Sequence, residues 1–169
     1  MAVIGAGYTG AAAALELARR GRAVVLLDAA APGSEASSRN GGMAIPGTKG
    51  ELPDLLAAPG GRAQWHESVA AFAQLEQLVT DEHIDCDWVS TGHVELAVHP
   101  RHARRLQTAA EAHQRLGERA HFVGREELAT EIGSPRFAGG LVIERSAALQ
   151  PAVLLQGLLA AARRAGAVV

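Results

Sequence analysis

Three glycines near the amino terminus have the spacing of a phosphate-binding turn. Gly5, Gly7 and Gly10 form the pattern G-x-G-x-x-G, with Tyr8 and Thr9 before the last glycine. The first glycine permits a tight turn, the second lets the backbone approach a pyrophosphate, and the third lets the following helix pack closely on the preceding strand. The first amides of that helix would face the pyrophosphate, where the helix dipole favours negative charge. The motif therefore predicts a dinucleotide site.

An acidic residue lies where such a site recognises a ribose. Asp28 ends the apolar run of residues 22–28, which follows the glycine turn and its helix. A carboxylate at this position would accept hydrogen bonds from the ribose hydroxyls and would disfavour a 2′-phosphate, so NADP is the least suitable dinucleotide. The turn and the acid together do not distinguish FAD from NAD.

A second polar and glycine-rich segment follows the predicted second strand. It places hydroxyls, a guanidinium and an amide ahead of two glycines, in the order Ser37, Ser38, Arg39, Asn40, Gly41, Gly42 and Met43. Hydroxyl groups and arginine suit phosphate oxygens, and paired glycines let the backbone lie against a flat ring. A mobile loop rich in serine and glycine is the alternative interpretation from the residues alone.

The elements that would position these residues follow a β-α-β order. Residues 2–4 predict a short strand, residues 10–20 a helix, and residues 22–28 a parallel strand covered on both faces. Residues 31–59 predict a long loop with little regular structure. Further helices are predicted over residues 61–80, 100–117, 125–132 and 151–166, and further strands over residues 89–98, 141–143 and from residue 167 onward.

Composition excludes several classes of protein. The 169 residues suit one ordinary domain or part of two, and the net charge of -2 leaves no basic surface for nucleic acid. No apolar run is long enough for a membrane-spanning helix. The single cysteine, Cys86, excludes an internal disulfide and an all-cysteine zinc site, and it favours a cytoplasmic protein.

The remaining reactive side chains show no pattern that assigns them a catalytic role. Cys86 lies between Asp85 and Asp87, whose charges should raise the pKa of the thiol. The seven histidines show no metal-binding spacing and are predicted to lie on the surface, although His93 could face a ligand from its strand. Trp65 lies on a helical apolar face and is predicted to pack in a core.

These motifs together resemble a known superfamily. The glycine turn, the Ser-Arg-Asn-Gly-Gly run and residues 139–151 occur in the order found in the D-amino-acid oxidase and sarcosine oxidase superfamily of FAD-dependent oxidoreductases. The Arg-Asn-Gly-Gly run looks most like the gamma-glutamylputrescine oxidase branch, which usually has glycine where Ser38 stands. The resemblance implies an α/β fold in which a Rossmann-like FAD-binding βαβ domain is interleaved with part of an α+β substrate domain. Residues 1–88 and 146–169 would belong to the first domain and residues 89–145 to the second, in a chain incomplete at its carboxyl end.

The same resemblance implies a cofactor and a reaction. FAD would contact Gly5, Gly7, Gly10 and Asp28 with its ADP part and residues 37–43 toward its isoalloxazine ring. The implied reaction is oxidation of the C–N bond of a small amine or amino acid by hydride transfer to the flavin, and these residues alone should be inactive. Two alternatives stay open: a truncated, non-catalytic nucleotide-binding fragment, and an NAD-dependent dehydrogenase. Gly42→Val is expected to impair flavin reduction more than folding.

Overall fold

The computed structural model describes residues 1–48 and 50–169, which cluster into two compact units. The first unit comprises Met1–Met43, Gln74–Val89 and Ala148–Val169, and the second comprises Ala44–Ala73 and Ser90–Ala147. Residues 44–73, which the sequence-based boundaries group with the first domain, thus cluster with the second unit. Among the described helices, none combines the length and the hydropathy needed to cross a membrane.

The first unit is built on two parallel strands joined by a helix. Strand β1 (Ala2–Ile4) pairs with β2 (Val25–Leu27), and α1 (Tyr8–Arg19) connects them. The run of alanines in α1 favours the helix, and Gly21 follows its end with φ of 71°, a conformation that glycine adopts at no steric cost. The predicted β-α-β unit is present.

The core of the first unit lies between these strands and two packed helices. Helix α7 (Pro151–Arg164) begins at a proline and packs against α1. The apolar cluster between them includes Ala11, Ala14, Leu15, Leu26, Leu154, Leu155, Leu158, Leu159 and Ala162. Gly157 allows close packing at Ile84, because a Cβ at position 157 would lie 2.3 Å from that side chain. This core holds the carboxyl ends of β1 and β2 in place beside the start of α1.

Strand β2 is buried on one face rather than two. Leu26 is buried, whereas Val25 and Leu27 on the opposite face are 41% and 49% exposed. The prediction of a strand covered on both faces is wrong for the described residues. Leu26 packs into the core of the first unit, whereas Val25 and Leu27 point away from it. Val168 extends this sheet through a parallel bridge to Val25.

The second unit contains a three-stranded antiparallel sheet. Strand β6 (Gly139–Ile143) lies between β4 (His93–Ala97) and β5 (Ala120–Gly124), and β5 is an element that the sequence analysis missed. Helix α5 (Pro100–Arg115) packs on this sheet. The cluster between them includes Ala103, Leu106, Ala109, Ala110, Leu141 and Ile143.

The segment predicted as a long loop contains three short elements. Lys49, within the same segment, lies outside the described residues. The three elements are α2 (Ala36–Arg39), β3 (Met43–Ala44) and α3 (Leu52–Ala57). The prediction failed because these elements are too short to show hydrophobic periodicity.

The later helices follow the sequence closely. Helices α4 (Gly61–Asp81) and α6 (Arg125–Ile132), like α5 and α7, begin at the residues predicted for them. The two-residue strand β7 (Ala147–Ala148) pairs with β3.

Candidate functional site: a dinucleotide cradle in the first unit

The turn after β1 is hydrogen-bonded to the end of β2. Gly5 has φ of 97°, a region that favours glycine, and its N–H donates to the Leu27 carbonyl at 2.7 Å. The next amide, that of Ala6, donates to Asp28 Oδ2 at 2.6 Å. Ala6 and Asp28 are 22 positions apart in the sequence. The glycine turn and the acidic residue therefore form one local structure.

The start of α1 is left open by Gly7. This residue precedes the helix, and the first turn of α1 carries no acidic side chain. Ser37 Oγ accepts a hydrogen bond from the Tyr8 N–H at 3.2 Å, and a Cβ at Gly7 would lie 2.9 Å from that oxygen. Thr9 is exposed on the same turn. The helix amides and the Ser37 hydroxyl thus meet at a place suited to phosphate oxygens.

Gly10 allows α1 to lie directly against the turn. A Cβ at this position would be 1.7 Å from the Gly5 carbonyl oxygen and 3.4 Å from the Leu26 side chain. The contact with Gly5 is to backbone, which cannot move aside as a side chain can. This position therefore requires glycine for the packing that the motif predicts.

Asp28 presents an ionised carboxylate at the carboxyl end of β2. Its Oδ1 accepts a hydrogen bond from the Ala30 N–H at 3.0 Å, and its Oδ2 accepts the bond from Ala6. These backbone donors, that of Ala30 first, lower the pKa of the carboxyl. Asp28 is exposed, so its remaining lone pairs are accessible to ribose hydroxyls.

A cleft of about 260 Å³ adjoins Asp28. Its other lining residues are Ala6, Leu26, Leu27, Ala30, Pro32, Arg163 and Val169. The sequence analysis missed Arg163 and Val169 as candidate site residues. Val169 could have been found, since it follows a predicted parallel strand and such strands present their carboxyl ends at one edge of a sheet. Arg163 comes from the end of α7, and no local pattern connects it with Asp28.

Asn40 organises the second motif through its own side chain. Its Nδ2 donates to the carbonyls of Ala36 at 3.1 Å and Ser37 at 3.3 Å, while its Oδ1 accepts from the Gly42 N–H at 2.9 Å. Ser38, where the resembled branch usually has glycine, donates its hydroxyl to the Gly33 carbonyl. The segment is therefore an ordered turn rather than an unstructured serine and glycine loop.

Gly42 is required by the backbone itself. Its φ is 67°, and a Cβ there would lie 2.0 Å from the Leu149 carbonyl oxygen. The Gly42 carbonyl also accepts the Leu149 N–H at 2.8 Å. This geometry predicts a large effect of Gly42→Val on folding, because the side chain would collide with fixed backbone, and its effect on flavin reduction stays a prediction. At Gly41, by contrast, a Cβ would meet no atom within 4 Å.

The other predicted residues of this motif are exposed. Arg39 ends α2 and forms no salt bridge with any residue in the ranges 1–48 and 50–169, so its guanidinium is available to a ligand. Met43 is 62% exposed. Tyr8, from the glycine turn, is partly buried, and its hydroxyl donates a hydrogen bond to the Pro151 carbonyl at 2.9 Å.

Cys86 is protected rather than reactive. The residue is 1% exposed, and burial raises the pKa of its thiol, with Asp87 and Asp85 adding to the effect. The predicted direction of the shift is confirmed, but burial is a larger cause than the two carboxylates.

The prediction of surface histidines is wrong for His113. This residue of α5 is 5% exposed, and burial lowers the pKa of its imidazole. The sequence contains a pattern that predicts this burial, because residues 106, 109, 110 and 113 share one helical face. No three side chains of the His, Cys, Asp and Glu types come together as metal ligands in the described part of the chain.

Comparison with known proteins gives a family match over the whole chain. A family described as FAD dependent oxidoreductase, abbreviated DAO, matches residues 1–169. The chain belongs to this family. FAD, rather than NAD, is therefore the dinucleotide of the family to which the glycine turn and Asp28 belong.

This member of the family is similar to longer proteins. It is 32% identical over 161 residues to a probable oxidoreductase, OrdL, of Haemophilus influenzae and 27% identical over 159 residues to the gamma-glutamylputrescine oxidoreductase of Escherichia coli, covering 92% of the present chain each time. A glycine oxidase crystal structure from Geobacillus kaustophilus superposes with a TM-score of 0.81 at 26% identity over 98% of the chain. The α/β fold class is thereby confirmed. The chain spans 37% of each of the two curated relatives and 44% of the glycine oxidase.

The residues of the first unit fit FAD. The open start of α1 and the space at Gly7, which a Cβ would fill, suit the pyrophosphate. The exposed carboxylate of Asp28 beside the 260 Å³ cleft suits the ribose and adenine. These hydrogen-bond donors and acceptors are therefore of the kinds that suit an adenine dinucleotide.

Proposed function

We propose that this protein oxidises the C–N bond of a small amine or amino acid and that its first unit holds the FAD. The observation that carries the proposal is the open start of α1 at Gly7, facing Ser37 and adjoining Asp28, in a chain that matches the FAD dependent family throughout. Two similar proteins, the gamma-glutamylputrescine oxidoreductase and the glycine oxidase, are named for an amine and an amino-acid substrate. Both names favour a C–N bond over a C–OH bond.

Each part of the cradle has a proposed role in holding the cofactor. Asp28 accepts hydrogen bonds from the ribose, and the first amides of α1 with Ser37 donate to the pyrophosphate. Arg39 adds an exposed positive charge toward the phosphates. Asn40 keeps the segment before Gly42 in a fixed shape against which a flat ring can lie. When bound, the flavin supplies the acceptor for the hydride equivalent.

The two units are proposed to divide these tasks. Residues 1–43, 74–88 and 146–169 would contribute to the FAD-binding domain, and residues 89–145 to the substrate domain. Residues 44–73 cluster with the second unit and would extend the substrate domain. The proposal assigns no catalytic base within the chain.

The test uses the protein expressed from its complete natural coding sequence. After free flavin is removed by gel filtration, visible absorbance of bound FAD is expected at about one FAD per protein. Anaerobic mixing with amines and amino acids should bleach it, and the rate should rise with pH because the neutral amine gives up hydride more readily. A protein without flavin absorbance contradicts FAD binding, and bleaching by 2-hydroxy acids alone contradicts the C–N assignment.

The same experiment separates the two alternatives. A non-catalytic nucleotide-binding protein would retain FAD but be bleached by no substrate. An NAD-dependent dehydrogenase would produce NADH absorbance when NAD and substrate are added, without any flavin spectrum. Membership of the FAD dependent oxidoreductase family favours neither a non-catalytic protein nor an NAD-dependent dehydrogenase.

A further inference from the structure

Tyr8 contacts both motifs of the cradle. Its backbone belongs to the first turn of α1, where its N–H donates to Ser37 Oγ at 3.2 Å. Its hydroxyl, at the far end of the ring, donates to the Pro151 carbonyl at 2.9 Å. The side chain is partly buried and packs against the core of the first unit. Tyr8 therefore connects the open start of α1 with the start of α7.

The same hydroxyl accepts a hydrogen bond from the segment of residues 40–42. Asn40 Nδ2 lies 3.5 Å from Tyr8 Oη, farther than from its two carbonyl partners. A hydroxyl has one proton and two lone pairs, so Tyr8 can donate to Pro151 and accept from Asn40 at the same time. Donation to the carbonyl strengthens the oxygen as an acceptor, because linked hydrogen bonds polarise one another. Asn40, Tyr8 and Pro151 therefore form one chain of hydrogen bonds.

Residues 40–42 are fixed to the start of α7 at both of their ends. At one end the Leu149 N–H donates to the Gly42 carbonyl at 2.8 Å. At the other end Asn40 is linked to the Pro151 carbonyl through the Tyr8 hydroxyl. Pro151 also lies beside Gly42, since a Cβ at position 42 would be 3.2 Å from the proline Cδ. Loss of the Tyr8 hydroxyl would release the first end and leave the second in place.

This arrangement joins the two parts of the cradle that are proposed to hold different ends of FAD. The start of α1 would bind the pyrophosphate, and residues 40–42 would lie against the flat ring. FAD would use both parts, whereas ADP would use only the start of α1 and Asp28. Loss of a contact between the two parts should therefore weaken FAD binding more than ADP binding.

We propose that Tyr8 is a positioning residue, whose hydroxyl holds residues 40–42 in register with the start of α1 so that the flavin end of FAD binds in one orientation. This role rests on the proposed binding of FAD in the first unit. Tyr8 acts through Asn40 and Pro151 and does not need to touch the flavin. A residue that only stabilised the fold would not distinguish FAD from ADP and would not alter the spectrum of bound flavin.

The test is Tyr8→Phe in the protein expressed from its complete natural coding sequence, because this change removes the hydroxyl and keeps the ring. Titration of the apoprotein should show FAD affinity lowered about three- to tenfold, the range expected for one lost hydrogen bond, while ADP affinity stays within about twofold. At saturating FAD, the visible circular dichroism of the flavin should differ from that of the unchanged protein. The proposal is overturned by equal losses for FAD and ADP, by unchanged FAD affinity, or by unchanged dichroism.

Two control variants give contrasting patterns. Asp28→Ala should weaken FAD and ADP by the same factor and leave the dichroism at saturation unchanged, because Asp28 is proposed to contact only the ribose. Thr80→Val removes another hydroxyl of the first unit, one that donates to the Glu76 carbonyl at 3.0 Å on α4, away from the cradle. This variant should change neither affinity nor dichroism.

A double variant tests whether Tyr8 acts through Asn40. Asn40→Ala should itself lower FAD affinity more than ADP affinity, and adding Tyr8→Phe should cost about twofold or less beyond that, because linked residues are not additive. Full additivity of the two losses overturns the proposal. An unchanged protein that binds neither FAD nor ADP contradicts FAD binding and the positioning role together, whereas FAD binding that Tyr8→Phe leaves intact contradicts the positioning role alone.

Discussion

The two units of this chain build their concave sites from different parts of the polypeptide. In the first unit the backbone defines the site, because Gly7, Gly10 and Gly42 are positions where a Cβ would strike a neighbour. In the second unit side chains define a cavity of about 100 Å³, with Glu95 and His113 brought together in its lining from a strand and a helix. Sites of the first kind leave glycine patterns in a sequence. Those of the second kind depend on which faces of separate elements come together.

The largest loss of stability is expected at Gly42, where the backbone of the first unit leaves no room for a side chain. Gly42→Val should destabilise the protein by at least about 3 kcal/mol, since it combines a positive φ with a collision against the Leu149 carbonyl. Urea unfolding measures the change. The control is Gly41→Ala, which meets no atom and should cost less than about 1 kcal/mol. Equal losses in the two variants would show that the backbone around Gly42 is not fixed as described.

The next largest effect is a loss of FAD affinity in the first unit, measured on variants at Gly7 and Asp28. Gly7→Val should weaken FAD binding by more than about 100-fold, because the side chain would occupy the space between Ser37 and the start of α1. Asp28→Ala removes one ribose partner and should weaken binding by about tenfold. Flavin fluorescence during reconstitution gives both values. FAD bound by Gly7→Val at the affinity of the unchanged protein would place the pyrophosphate elsewhere.

The one-sided burial of β2 can be tested with adjacent leucines. Leu26→Ala should cost about 2–5 kcal/mol of unfolding free energy, because Leu26 is 2% exposed within the core of the first unit. Leu27→Ala removes a side chain that is 49% exposed and should cost less than about 1 kcal/mol. Denaturant unfolding of both variants gives the difference. A comparable cost at Leu27 would mean that another part of the protein covers this face.

The smallest effect is a pH dependence in the second unit. Burial lowers the pKa of His113 below its ordinary value of 6.5, so the unfolded chain takes up the proton at a higher pH than the folded one. The contribution of His113 to stability is therefore full above this range and falls as pH drops through 6.5 toward the lowered pKa.

The matched pair for this effect is His113→Leu and His121→Leu. Replacement of His113 should flatten the acid-side loss of unfolding free energy, while replacement of His121, exposed on β5, should leave it unchanged. Urea unfolding at a series of pH values between neutral and mildly acid measures the slope. An unaltered slope in His113→Leu would assign the loss to other groups.

Sequence patterns were sufficient where one short segment carries the whole signal. The β-α-β unit, the start of four helices and the glycine turn all follow from local propensity, capping and spacing. The resemblance to FAD-dependent oxidoreductases was also confirmed, since it rests on motifs whose order is a property of the sequence. Strand β5 was missed because its five residues show too short an alternation to distinguish a strand from a loop.

The sequence by itself determined the family, the fold class and the candidate residues of the dinucleotide cradle, because glycine spacing reports backbone constraints directly. Tertiary structure decided which strand face is buried, that Arg163 and Val169 line the cleft beside Asp28, and that His113 is buried beside Trp65. It also showed that Gly42 is required by the Leu149 backbone. The physical reason is that burial and long-range contact depend on how separate elements pack, and no local pattern of residues encodes that packing on its own.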